Sequence, residues 1–250
     1  MSLEKFYELV RETYGPFFPT PKKKKEEFLE KVREKVDYYY KQKIEERCGL
    51  NLGQIKVKDN KEWLEDTSLD QARNDAIKDA WKQGRIPNEA DFTFSFSAAF
   101  VANAIIAIPL WVYNTMHGAE MRCNNNTIYV PFYYMNRFMD LDFKKREKTL
   151  DYCVVHEISH ILWDRKQGSV FNNPQKLGPN RQWFEGFATY CADNFFADFY
   201  PDNAEKVEVG RVYSKGKEKI EKLIEKKGTE ILLEIPERWH EFENLLGEEE

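Results

Sequence analysis

Apolar positions along the chain fall into two rhythms, one at helical spacing and one of strict alternation. Phe28, Val32, Val36, Tyr40 and Ile44 lie four apart, after Thr20 and Pro21 and before Gly49. A cap residue, a proline at the first helical position and a glycine stop predict one long amphipathic helix. The Lys22–Lys25 run falls in its first turn with Glu26 and Glu27 directly after, and reads as a solvated helix end. Ile55 and Val57 alternate with Lys56 and Lys58, a short half-buried strand. Ser68 is placed to cap a helix with Leu69, Ala72, Ala76, Ile77, Ala80 and Trp81 on one face and Gly84 at its end. Phe92, Phe94 and Phe96 alternate with Thr93 and Ser95 as a second strand, and Thr127–Val130 follows the turn-forming Asn124–Asn126 as a third. Helical patterns dominate after that.

From Phe92 to Met116 there is no charged residue, a length that spans a bilayer. Asn103 and Pro109 interrupt it, and no Lys/Arg cluster marks one side. The stretch therefore reads as a strand and helix buried in a folded core, with a membrane anchor as the competing reading.

Composition narrows the class. The 250 residues are 42% hydrophobic, with 12 Gly and 10 Pro, which excludes a disordered or low-complexity chain and allows one large domain or two small ones. Lys and Arg number 38 against 43 Asp and Glu, so no basic field invites nucleic acid. Cys48, Cys123, Cys153 and Cys191 form no CxxC pair. With no secretory leader pattern, they read as reduced thiols of a cytoplasmic protein. There is no internal repeat or flexible linker. The expected organisation is a mostly helical region over 1–88 and a catalytic region over 89–250, with a soft boundary between them. The fold class is helix-rich α+β with a small mixed sheet.

Candidate chemistry is concentrated between Lys144 and Asp164, around His156-Glu157-Ile158-Ser159-His160. Residues four apart share a helix face, so both imidazoles can reach one tetrahedral Zn²⁺, while Glu157 sits beside that face and can act on a water there. Leu150, Val154, Ile158 and Ile161 form one apolar stripe of this helix; Cys153, His156, His160 and Trp163 form a second. A helix apolar on two faces is buried.

A catalytic zinc needs a third protein ligand and an open position. Pro179–Tyr200 reads as a further helix whose Phe184, Phe187, Ala188, Cys191 and Phe195 pack on the core. Glu185 lies on it. A loop holding Gly168, Pro174, Gly178 and Pro179 lets this helix fold back beside the first, and the small Gly186, Ala188 and Ala192 permit close approach.

His156-Glu157-x-x-His160 followed by Trp183-x-Glu185-Gly186-x-Ala188-x-Tyr190 resembles the gluzincin clan of zinc metallopeptidases. The similarity covers roughly residues 124 to 216. It implies a zincin-like fold, Zn²⁺ held by His156, His160 and Glu185, and Glu157 as general base in peptide hydrolysis. It also implies that Thr127–Val130 is placed like the edge strand that lies along the substrate. Tyr213 and Gly216 are similar to a segment that often follows the glutamate helix, which makes Tyr213 the candidate donor to the oxyanion. Several members carry an acidic residue four or seven positions after the glutamate; here those positions are Thr189 and Ala192, and the nearest carboxylate is Asp193. The expected partner is a peptide or unfolded-protein substrate, with no nucleic acid.

Rival readings remain. Either Cys153 or Cys191 could lie near the metal, although core packing is the commoner fate of such thiols. A peptide-deformylase-like site would enlist Cys123 and leave the Glu185 motif unexplained. His117 and His240 read as surface or core residues. The Tyr38–Tyr40 run and Phe132–Tyr134 read as core and cleft wall. Two other classes compete: a non-catalytic module in which zinc only staples two helices, and a membrane-anchored protease. In the C-terminal stretch, Ile231–Ile235, Trp239, Phe242 and Leu245 can dock on the body of the protein. Docking over the cleft would bring Glu237, His240 or Glu241 to the zinc and make the enzyme latent; docking elsewhere would only stabilise.

Overall fold

A computed structural model describes residues 22–117, 121–124, 126–130, 143–167, 180–202, 204, 206–207 and 211–247. The Thr20-Pro21 cap, the loop over 168–179 and Phe132–Tyr134 lie outside the described residues, as do the side chains of Lys22–Lys25 and His117. Among the described residues, the protein is helix-rich with one small sheet. Among the described residues, no helix is long and apolar enough to cross a membrane. The chain divides into two compact units, Met1–Lys25, Lys58–Glu120 and Tyr129–Leu141 in the first and Glu26–Val57, Met121–Ile128 and Asp142–Glu250 in the second. The boundary expected near residue 88 falls inside the first.

The expected N-terminal helix runs in three pieces, α1 (Lys22–Glu34), a π-helical turn over Lys35–Tyr40 and α2 (Lys41–Cys48). Val32, Val36, Tyr40 and Ile44 are buried as the spacing predicts, and Gly49 ends the helix at φ 61°. The π turn marks the one departure from regular geometry. It leaves Tyr38 and Tyr39 exposed, while Tyr40 turns inward and its hydroxyl donates to buried Asp151 at 2.5 Å. Lys35 donates to the same carboxylate oxygen at 2.7 Å.

Strand β1 (Lys56–Asp59) follows as expected. The next helix, α3 (Asn60–Lys82), starts eight residues before Ser68, and Ser68 is a buried interior residue, not the cap. Nothing between Asn60 and Ser68 breaks a helix, so the run propagates back to the end of β1. Ala72, Ala76 and Ala80 are buried as read, whereas Leu69 and Trp81 face solvent.

The strand expected over Phe92–Phe96 is instead part of α4 (Glu89–His117). Asn88 and Asp91 explain the outcome: the Asp91 N–H donates to the Asn88 side chain at 3.1 Å and the Asn88 N–H to the Asp91 carboxylate at 3.0 Å. This is a reciprocal capping box, braced by Arg85 on the same carboxylate. Phe92 then stacks on Phe96 one turn on, and Phe96 meets Phe100 at a tilt a further turn on, a helical use of the aromatic residues. Phe94 is 78% exposed, so the stretch is not the uniformly buried segment the sequence suggested.

The sheet has three strands in the order β1-β3-β2, with β2 (Arg122–Asn124) and β3 (Thr127–Val130) joined through Asn126 at φ 59°. The Asn126 side chain donates to the Leu52 carbonyl at 2.7 Å. β3 is buried along its whole length. Because β3 lies between its two neighbours, both of its edges are already paired. This corrects the expectation that Thr127–Val130 offers a free edge to a substrate.

The second unit is built around α5 (Phe143–Lys166), the HExxH helix. Leu150, Val154, Ile158 and Ile161 are all 3% exposed or less, confirming the stripe. α6 (Asn180–Tyr190) packs against it and continues into a π-helical turn, Cys191–Phe195, and a 3₁₀ turn, Ala197–Phe199. The uninterrupted α-helix expected to Tyr200 therefore ends at Tyr190, and the π and 3₁₀ turns carry the chain on to Phe199. α7 (Arg211–Lys227), a 3₁₀ segment (Thr229–Glu234) and α8 (Ile235–Gly247) complete the unit.

Candidate metal centre

His156 and His160 project from one face of α5, one turn apart, and Glu185 meets them from α6. His156 Nε2 and His160 Nε2 are 3.1 Å apart. Glu185 Oε2 lies 3.5 Å from the first and 3.3 Å from the second. Ligands at the usual Zn–N and Zn–O lengths around a tetrahedral ion stand about 3.3–3.4 Å from each other, so all three spacings match the edges of such a site. Two imidazoles and a carboxylate are donors of the kind that zinc accepts. All three side chains are at least 85% buried.

Burial opposes the charge on Glu185, but His160 and His156, by charge and by hydrogen bonding, outweigh it and hold the carboxyl far below the usual range. Glu157, the next residue to His156, is 6% exposed.

Helix α7 brings in Tyr213, whose ring centroid is 6.0 Å from that of His156. Glycine makes this approach possible. A Cβ on Gly186 would overlap the Gly216 backbone, and a Cβ on Gly216 would overlap the Gln182 carbonyl oxygen. The small residue after Glu185 thus serves the packing of α7 on α6, whereas the sequence suggested packing on α5. The two helices meet backbone to backbone, and Tyr213 sits one turn before Gly216.

The surrounding polar groups are tied down locally. Ser159 donates to the Val155 carbonyl at 2.8 Å and Thr189 to the Glu185 carbonyl at 2.8 Å. Thr189 therefore does no orienting of a histidine, and Ala192 is fully buried. Asp193, carried on the π turn, accepts from Lys217 at 2.6 Å. Burial, then the nearby Asp193 carboxylate, pushes the Tyr152 phenol well above its ordinary value. Tyr152 in turn stacks with His156 at 6.3 Å.

Among the described residues, the metal-capable cluster contains His156, His160 and Glu185 and no fourth group. Cys153, Cys191 and Cys123 stay outside it, and none of the four cysteines is in a disulfide. Burial pushes the Cys191 thiol well up, so it is a neutral core group. His240, Glu237 and Glu241 are exposed on α8. That helix is fastened instead by Glu243, which accepts from Trp183 Nε1 and from Lys219 at 2.7 Å. Phe184 is the residue whose place in the site the sequence did not disclose. The sequence offered it only as one of the apolar residues packing on the core, whereas it is half-buried with its ring face to face with His160.

No family model, curated protein or solved structure matches the chain.

Proposed function

We propose that this protein is a zinc-dependent peptidase of zincin-like architecture, acting on peptides or unfolded protein, with the cytoplasm as its expected setting. One observation carries the reading: the HExxH imidazoles and Glu185 present three ligand atoms at 3.1, 3.3 and 3.5 Å, the edges of a tetrahedron that zinc fits. His156, His160 and Glu185 would hold the ion. When bound, zinc supplies Lewis acidity that makes water a nucleophile near neutral pH and polarises a carbonyl. Glu157 takes the proton from the attacking water and passes it to the leaving amine, base and then acid. Tyr213, beside His156, donates its hydroxyl proton in a hydrogen bond to the oxyanion as it develops. An extended substrate adds to an outer strand of the sheet, because β3 is enclosed.

The test is hydrolysis of a labelled unfolded protein by the zinc-loaded chain and by Glu157→Gln. The expected outcome is unchanged zinc content and a rate lowered about 10²- to 10⁴-fold, the usual contribution of a general base. A second reading, a zinc staple without catalysis, is favoured by the way the triad joins two helices, α5 and α6. It predicts zinc binding with no hydrolysis by either protein.

A further inference from the structure

A histidine side chain has two rotatable bonds, so the packing around buried His160 sets the plane of its ring and the aim of Nε2. Phe184 lies against it with ring centroids 4.0 Å apart and planes 19° from parallel. The phenyl ring is itself backed by Trp163, edge-on at 5.9 Å and 90°, and Trp163 is pinned by Phe187 at 5.3 Å. Trp163 and Phe187 are essentially fully buried, so the stack ends on the core. His156 is met less closely, by Tyr213 at 6.0 Å and Tyr152 at 6.3 Å.

We propose that Phe184 is a positioning residue of the metal centre. Its ring, stacked on His160 and backed by Trp163, holds that imidazole so that Nε2 points where His156 and Glu185 also point. Phe184 and Glu185 are neighbours on α6, so one helix delivers both the carboxylate and the brace, and a shift of that helix moves both together. The inference rests on the metal reading above. Aromatic stacking supplies orientation as well as apolar contact, and groups that orient metal ligands commonly carry 10- to 100-fold in affinity.

The experiment measures zinc affinity by competition with a chelator for the parent, Phe184→Leu and Phe184→Tyr. It adds the visible spectrum of each with Co²⁺ and the melting temperature of each metal-free protein. The expected result is zinc binding weakened about 10- to 100-fold in Phe184→Leu, with an altered Co²⁺ spectrum, and both largely restored in Phe184→Tyr. Equal affinity and spectrum in the parent and Phe184→Leu, with only a lower melting temperature, would assign Phe184 to packing and overturn the proposal. If Phe184→Leu does not fold, Phe184→Met, which keeps apolar volume without a ring, is read in the same way. A parent that binds no zinc overturns the metal reading and this inference with it; a parent that binds zinc as tightly as its leucine variant overturns this inference alone.

Discussion

At the residue scale, the centre gathers polar groups that would be costly to bury singly. Two imidazoles and a carboxylate together, each within 3.5 Å of the others, offset much of that cost and offer more to a cation. Tyr213→Phe is expected to keep its zinc and lose about 10²- to 10³-fold in kcat, as removal of an oxyanion donor does; steady-state kinetics beside metal analysis checks this. Cys48 gives a pH test of the core. Burial pushes its thiol up to about 11, so folding favours the protonated form. Its contribution to stability is complete below the ordinary thiol pKa of about 8.5 and is lost as pH rises through about 11. Denaturant titrations from pH 8 upward should show the parent losing stability more steeply than Cys48→Ala; parallel curves would contradict it. The pairing of His156 with His160 was legible because HExxH is a local periodicity that needs only a helix to become geometry; Glu185 was legible only through the motif around it. Phe184 was not, because its contact with His160 depends on how α6 is rotated against α5, which no short-range pattern records.

At the element scale, alternation and capping made opposite demands on the segment after Arg85, and capping won. Phe92, Phe94 and Phe96 alternate like a strand, but the Asn88–Asp91 box starts a helix and the phenyl rings stack along it. Arg85, then the Asn88 backbone, hold the Asp91 carboxyl down at about 2. The ionised form is favoured in the folded state, so this cap's contribution is present above the unfolded carboxyl value of about 3.9. It is lost as pH falls through about 2. Asp91→Asn should flatten the acid limb of a pH–stability curve between those values, and an unchanged limb would count against the cap. The meeting of α6 and α7 depends on Gly186 and Gly216. Gly216→Ala forces the backbones apart and is expected to destabilise by about 1–3 kcal/mol, with a fall in turnover as Tyr213 leaves His156. Calorimetry and kinetics on one preparation test both. The sequence exposed the glycine after Glu185 but not its partner helix, since the closeness of two backbones is a tertiary fact.

At the scale of the whole molecule, the chain is not divided at one point; each unit is assembled from separate stretches of sequence. A soft boundary near residue 88 was the most a linear reading could offer, because neither a linker nor a change of composition marks units built this way. The C-terminal stretch was legible as apolar anchors, and Leu232, Ile235, Trp239 and Phe242 are indeed buried. Its polar residues Glu237, His240 and Glu241 are exposed, and the role we expect for the segment is stability. Truncation after Gly228 should lower the melting temperature and give no rise in hydrolysis per folded, zinc-loaded chain; a rise would restore the latent reading. The most direct test of the centre as a whole is zinc per chain, measured after loading and removal of loose metal, in the parent and in Glu185→Ala. About one tightly held zinc is expected in the parent, since three protein ligands with an open fourth position make a zinc site, and loss of tight binding in the variant. A parent without zinc, or a variant that keeps it undiminished, would contradict it.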